Sequence, residues 1–383
     1  MKAQRLTLLA VGLLLLLSPS LFATEHQGQS PEMKDVTIGK SLKLKSTILS
    51  IMAELHIYLP QGYEESKESY PVMYTFRHFH IASGILSVHV PQMILVDFSN
   101  FNYSLFSLYE KKDEPESGKA DEVLQFLKEE LVPYIDSIFR TKPTRILEGS
   151  SSGGIFAIYA LFSEPTLFDA VFAAGPMFAE FEEDRVFNIL EKALKEREPH
   201  NNSLFFTAGD QPEIVPHIEY FKKLLEKHQP EGLKWKYDPA SGENHMSLVS
   251  KTLHEGLQWY LSEYCIIPDH VVSEGKDAFK KHLDGLFQKF GGNESSSSQI
   301  FNMTISRHRM EKNFEKSLSA AKLCVEFMPD KPLSYFYLAE TYADMGQKKL
   351  AKENYEVAIA KARKTWPGLV GFLETKIKKL EGK

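Results

Sequence analysis

Gly149-Ser150-Ser151-Ser152-Gly153-Gly154 sets three serines between glycines, with the strand-like run Arg145-Ile146-Leu147 before it and the helical run Ile155 to Leu161 after it. Strand, GxSxG and helix in that order are the setting in which a sharp turn lifts a serine hydroxyl above a sheet edge for nucleophilic attack. The register selects Ser151 as the nucleophile. Ser152 then opens the helix, where its backbone N–H can donate to an oxyanion.

A serine needs a base to take its proton. Of 13 histidines, His245 has the most suitable setting: Lys234 to Asp238 is strand-like, Ser241-Gly242-Glu243-Asn244 is a turn, and His245 opens a helix carrying Val249, Leu253, Leu257 and Leu261. His254 falls inside that helix and reads as a surface or packing residue. The imidazole in turn needs an acceptor that fixes its tautomer, in the chain order serine, acid, histidine. The run Ser203 to Glu213 is a strand ending in a glycine turn and offers two carboxylates. The choice falls on Glu213, with Asp210 as the alternative. Asp210, directly after Gly209, also reads as a turn residue, and Glu213 as a charge at the start of a helix from Ile214 to His228.

The elements that must hold these groups alternate in type. Leu55–Leu59, Tyr70–Phe76, Met93–Phe98, Arg145–Leu147, Ala170–Ala173 and Leu204–Phe206 are short apolar or aromatic runs, several apolar throughout, as in strands covered on both faces. Asp121 to Phe139 carries Val123, Phe126, Leu127, Leu131, Tyr134 and Ile135 at helical spacing. The fold class is α/β, with a mostly parallel sheet. After Cys265 the strand signals stop. Lys276 to Phe290 reads as an amphipathic helix, Gly291 to about residue 299 as a flexible joint, and the rest as helical. From Pro332, the residues Tyr335, Leu338, Ala339, Tyr342, Gly346, Ala351, Tyr355 and Ala358 have tetratricopeptide spacing, and Ala321, Cys324 and Pro329 resemble the end of an earlier unit. The expected domains are residues 24–275, carrying the chemistry, and a helical region 276–383 with repeat-like helices over 314–365. So short an array is expected to dock on the first domain or on a partner.

These motifs together resemble the esterase family of α/β hydrolases that includes ferric-siderophore esterases and esterase D-like enzymes. Ile57-Tyr58-Leu59-Pro60-Gln61-Gly62-Tyr63 and Tyr70-Pro71-Val72 match that family's first strands, and Phe126 to Ile135, Phe139-Arg140-Thr141 and the elbow follow in order. Members with a tetratricopeptide-like tail are familiar. The resemblance implies an α/β-hydrolase fold and a serine esterase triad, transferred to Ser151, His245 and Glu213, with no cofactor. It also implies a second oxyanion N–H from the turn after the Tyr70–Phe76 strand, near Arg77 or His78. Three departures stand out: Arg77-His78-Phe79-His80 replaces the usual Asp-Gly, Ser150 stands where His is common, and Gly175-Pro176-Met177 stands where Ser-Pro-Ser is common. They leave open a second reading, an inactive hydrolase-fold binding or scaffold protein. His78 and His80 lack a third ligand at meaningful spacing, so no metal is expected.

Composition narrows the rest. With 43% hydrophobic and 25% charged residues the chain is ordinary globular material, and a net charge of −6 argues against a nucleic-acid partner. Lys2 and Arg5, the apolar run Leu6–Leu17, Pro19 and the small residues Ser20 and Ala23 read as a signal peptide over residues 1–23. That run is shorter than the roughly 20 residues of a membrane-spanning helix, so an exported protein, periplasmic or secreted and without a stable membrane anchor, is expected. With only two cysteines, Cys265 and Cys324, either one bridge or two buried thiols fits. Asn-x-Ser/Thr sequons occur at Asn102, Asn201, Asn293 and Asn302. The partners expected are a small-molecule ester and, through the C-terminal helices, a protein.

Overall fold

The computed structural model describes residues 37–87, 91–178, 183–292 and 294–382. The leader read at residues 1–23 and the sequon at Asn293 lie outside them. Ile38 to Lys383 forms one compact unit.

Among the described residues, eight strands build one sheet: β1 (Lys40–Lys45), β2 (Met52–Tyr58), β3 (Tyr70–Phe76), β4 (Ile94–Phe98), β5 (Thr141–Ser150), β6 (Ala170–Ala174), β7 (Asn202–Thr207) and β8 (Leu233–Asp238), in the order β1-β2-β4-β3-β5-β6-β7-β8. β2 pairs antiparallel with β1 and β4, and every other neighbour is parallel. β3, β4 and β6 are buried along their whole length, which accounts for their largely apolar runs. β1 is different: its Lys-Ser-Leu-Lys-Leu-Lys alternates exposed and half-buried positions at the sheet edge, where lysines discourage further pairing.

Side chains divide between two cores with the strand period of two. Val72, Tyr74, Phe76, Leu147, Val171 and Phe206 face one layer of helices, which includes Ser152–Ser163 and Val215–His228. Met73, Ile146, Phe172 and Phe205 face the other, which includes Leu248–Tyr260. The C-terminal helices belong to this second core: Phe279, Leu283, Phe301, Ala320, Cys324 and Tyr337 pack in the same cluster as the sheet residues. Thr144, in β5, also donates its hydroxyl hydrogen to the carbonyl of Lys289 at 2.8 Å.

Two expectations are corrected, and the alternative left open for the cysteines is decided. The helix expected over Asp121–Phe139 is Ala120–Phe126, a π-helical turn at Leu127–Leu131, and Val132–Ile138. Pro133 has no N–H for a regular i→i−4 bond, so the turn widens ahead of it. The joint expected over 291–299 shrinks to Gly291-Gly292, because the helix Glu294–Met310 takes in the serines. Those two glycines have φ of +75° and +139°, and a Cβ would meet the Ser69 carbonyl oxygen at 2.8 Å or the Phe287 ring at 2.6 Å, so they make a tight corner. Cys265 and Cys324 are not bridged; burial pushes their thiols up to about 11 and about 12.

Candidate active site

β5 is buried from Ile146 to Ser150 and delivers Ser151 to the sheet's carboxyl edge. Ser151 has φ 54° and ψ −126°, a strained conformation for a side-chain-bearing residue that costs on the order of 1–3 kcal/mol. The surroundings hold it there. Its N–H donates to the Ala174 carbonyl at 3.0 Å, and its own carbonyl accepts from Gly154 and Ile155 N–H at 3.0 and 3.2 Å. Gly149 makes the bend sterically possible: a Cβ there would lie 2.2 Å from the Gly153 carbonyl oxygen. Beneath the elbow, Phe76, Phe106 and Phe156 pack with ring centroids 4.4 to 5.9 Å apart, giving the turn a stiff aromatic floor. Ser152 is the first residue of its helix, so its N–H has no intrahelical acceptor, and Ser152 lines a small cleft of about 20 Å³ with Tyr103, Phe106 and Tyr109.

His245 arrives from the far side of β6, in the turn after β8 rather than as the first helical residue, since that helix begins at Leu248. Asn244 Oδ1 accepts from Met246 and Ser247 N–H at 2.9 and 3.1 Å and shapes the turn. The imidazole lies against Gly175, where a Cβ would come 3.6 Å from Nδ1, and Gly175 directly follows Ala174, the residue bonded to Ser151. The structure thus brings Ser151 and His245 to adjoining positions on one edge. Among the described residues no hydrogen bond joins the Ser151 hydroxyl to the ring; such contacts are commonly long before substrate binds.

Neither carboxylate singled out in the sequence reaches the ring. Gln211 does: His245 Nδ1 donates to Gln211 Oε1 at 2.9 Å, while Gln211 Nε2 donates to the Ala208 carbonyl at 2.7 Å. That second bond fixes which way the amide points. His245 therefore carries its proton on Nδ1 and turns a lone pair at Nε2 outward, the form a general base needs. Asp210 instead accepts from Gly242 N–H at 2.9 Å, and its own N–H donates to Glu243 at 2.8 Å, so it braces the His245 turn. Glu213 is exposed. The acid position between β7 and the following helix is occupied by a neutral amide, which sequence reasoning passed over because glutamine has no distinctive chemistry of its own.

The turn after β3 also differs from expectation. His78 N–H, one candidate oxyanion donor, is given to Asp97 Oδ1 at 2.7 Å, and Arg77 N–H, the other, goes to the Phe98 carbonyl at 3.0 Å. The His78 side chain joins a buried polar set instead: Nδ1 lies 2.8 Å from Glu148 Oε2 and Nε2 3.3 Å from Ser150 Oγ. Glu148 is 0% exposed. Burial opposes charge on His78, but Glu148, by charge and hydrogen bond, and then Asp97 outweigh it, so its pKa is raised. Asp97 also accepts from Thr75 Oγ1 at 2.7 Å, and burial raises its carboxyl. His80 is exposed. Among the described residues no group of three or more His, Cys, Asp or Glu could hold a metal ion, and no helix is long and apolar enough to cross a membrane.

Sheet order, elbow and histidine turn have the arrangement of an α/β-hydrolase fold. The profile of the Putative esterase family matches residues 46–202, the segment that carries the elbow. Among solved structures, an IroE-like serine hydrolase from Shewanella oneidensis is similar at 23% identity and TM-score 0.58, covering 74% of this chain and 98% of its own. A siderophore hydrolase, EstB from Aspergillus nidulans, is similar at 17% identity and TM-score 0.51, covering 61% and 97%. An uncharacterised protein from Capnocytophaga ochracea is similar at 16% identity and TM-score 0.55 and covers 90% of this chain and 99% of its own, so that likeness runs into the C-terminal helices. At these identities the likeness is one of fold. No curated protein matches the chain.

Proposed function

We propose that the protein is an exported serine esterase that cleaves a carboxylic ester through an acyl-enzyme. Ser151 Oγ attacks the carbonyl carbon as His245 Nε2 takes its proton. His245 then gives that proton to the leaving alcohol, and water repeats the cycle to release the acid. Gln211 holds His245 in the required tautomer, and Ser152 N–H donates to the oxyanion. The reaction needs no cofactor. The leader sequence supports a periplasmic or secreted site of action. Siderophore lactones, acetylated sugars and feruloyl or other acyl esters all suit such a mechanism.

The observation that carries this reading is the strained Ser151 backbone at the strand-to-helix bend, with the His245 ring against neighbouring Gly175. Ser151→Ala should abolish both hydrolysis of a short-chain nitrophenyl ester and labelling by a fluorophosphonate, with unchanged circular dichroism. Retained hydrolysis in that variant removes Ser151 from its role.

A neutral residue at the acid position and the two engaged N–H groups after β3 favour one other reading, a hydrolase fold kept for binding, with the C-terminal helices engaging a protein partner. Wild-type protein that is folded yet neither labelled nor active on a panel of esters would select it.

A further inference from the structure

β5 lies between β3 and β6, and the site is divided accordingly. His245 approaches from the β6 side. The oxyanion of an α/β hydrolase is held on the β3 side, between the N–H after the nucleophile and a second donor from the turn following β3. In this chain both backbone candidates in that turn donate elsewhere, Arg77 to Phe98 and His78 to Asp97. What the turn presents to the elbow is the His78 imidazole, bonded to Ser150, the residue next to the nucleophile.

Glu148, His78 and Ser150 form a linear set, carboxylate to imidazole to hydroxyl, and its charge balance is informative. Glu148 is fully buried, Asp97 is 1% exposed, and among the described residues no lysine or arginine forms an ion pair with either. Glu148 Oε1 has no hydrogen-bond partner. A buried carboxylate compensated by one imidazole favours the doubly protonated ring. An imidazolium donates from both nitrogens, Nδ1–H to Glu148 and Nε2–H to Ser150 Oγ, so the serine's hydrogen is left to point away from the ring. A neutral ring with its proton on Nδ1 would accept that hydrogen at Nε2 and turn it inward.

Resting on the esterase reading above, we propose that the Ser150 hydroxyl, oriented by the Glu148–His78 pair, is the second oxyanion donor of this enzyme, replacing the backbone N–H of the turn after β3. His78 and Glu148 are then positioning residues, and Ser150 is the group that touches the reacting oxygen. The donor is present while His78 is charged and is lost as pH rises through the His78 titration. The titratable and charged groups around that ring are Glu148 from β5, Asp97 from β4 with His56 from β2 behind it, Arg77 from its own turn, and Tyr103 beyond Arg77.

The test measures kcat, KM and fluorophosphonate labelling rate from pH 5.5 to 10 for wild type, Ser150→Ala, Ser150→Thr and His78→Gln, with Ser151→Ala as the zero. Ser150→Ala should lower kcat and the labelling rate about 100-fold with little change in KM, the scale of one oxyanion donor. Ser150→Thr, which keeps the hydroxyl, should recover most of that loss. His78→Gln should remove a fall in rate on the alkaline side that wild type shows. Labelling of Ser151 in wild type together with Ser150→Ala rates within twofold of wild type, or an alkaline limb unchanged in His78→Gln, overturns this proposal and leaves the esterase reading standing. A wild-type protein that is neither labelled nor active overturns both.

Discussion

Replacing Gln211 with glutamate puts a charge where the structure has an uncharged acceptor, and its size can be worked out. Gln211 Oε1 lies 2.9 Å from His245 Nδ1, and the side chain is 8% exposed. A carboxylate and an imidazolium with charge centres about 4 Å apart attract by about 4 kcal/mol at an effective dielectric near 20. Two terms oppose that gain. The carboxylate must be desolvated, and the oxygen replacing Nε2 would face the Ala208 carbonyl, which now receives a hydrogen bond at 2.7 Å. Together these cost about 3 kcal/mol, which leaves about 1 kcal/mol of net stabilisation of the charged ring in the transition state, or about a fivefold rise in kcat. Gln211→Ala leaves the tautomer unfixed and should slow kcat roughly 100-fold. Steady-state kinetics on a short-chain nitrophenyl ester, with burst amplitudes to count active sites, read both. A Gln211→Ala enzyme as fast as wild type, with Gln211→Glu no faster, would refute the orienting role.

Gly149→Ala should cost about 3 kcal/mol in urea denaturation and silence the site, because its Cβ would stand 2.2 Å from the Gly153 carbonyl oxygen. Gly153→Ala, whose Cβ would sit 3.7 Å from the Phe76 ring, should change stability by under about 1 kcal/mol and in the stabilising direction, since alanine is the better helix former. Phe279→Ala should destabilise the protein by about 3–5 kcal/mol, since this fully buried ring packs 4.5 Å from Phe301 and 4.9 Å from Phe327. Far-UV dichroism and tryptophan fluorescence should then report one shared melting transition, since tail and sheet share that core. Lys227, His228 and Lys195 hold the Glu191 carboxyl down to about 2, so its stabilisation is complete above the usual carboxylate range near 4.3 and is lost as pH falls towards 2. Glu191→Gln should flatten that part of the acid-unfolding curve.

The elbow was legible in the sequence because its requirements are local: β5, Gly149, Ser151 and the helix after it are consecutive residues, and a bend that tight admits few side chains. The turn that carries His245 was legible for a similar reason, since a strand and a helix frame it. Gln211 was not. Two carboxylates flank it, and which of four neighbouring side chains meets the ring depends on how the β7 turn folds back, with Asp210 drawn to Gly242. Glu148 and Asp97 were hidden for the opposite reason: each sits inside an apolar strand, and nothing in the chain order says that both face His78. Ser295–Ser298 looked like a linker by composition, and packing behind the Gly291-Gly292 corner makes it helical.

The second core has a consequence for how the chain comes off the ribosome. Met73, Ile146, Phe172 and Phe205 are made early, whereas Phe279, Leu283 and Phe290, which share their core, are made late. One face of the sheet therefore stays partly uncovered until the last helices are made. Stopping the chain at residue 275 would keep the Leu248–Tyr260 helix but strip Phe279, Leu283 and Phe290 from that core, so residues 38–275 are expected to clump when expressed alone and to dissolve when the last hundred or so residues are supplied in trans.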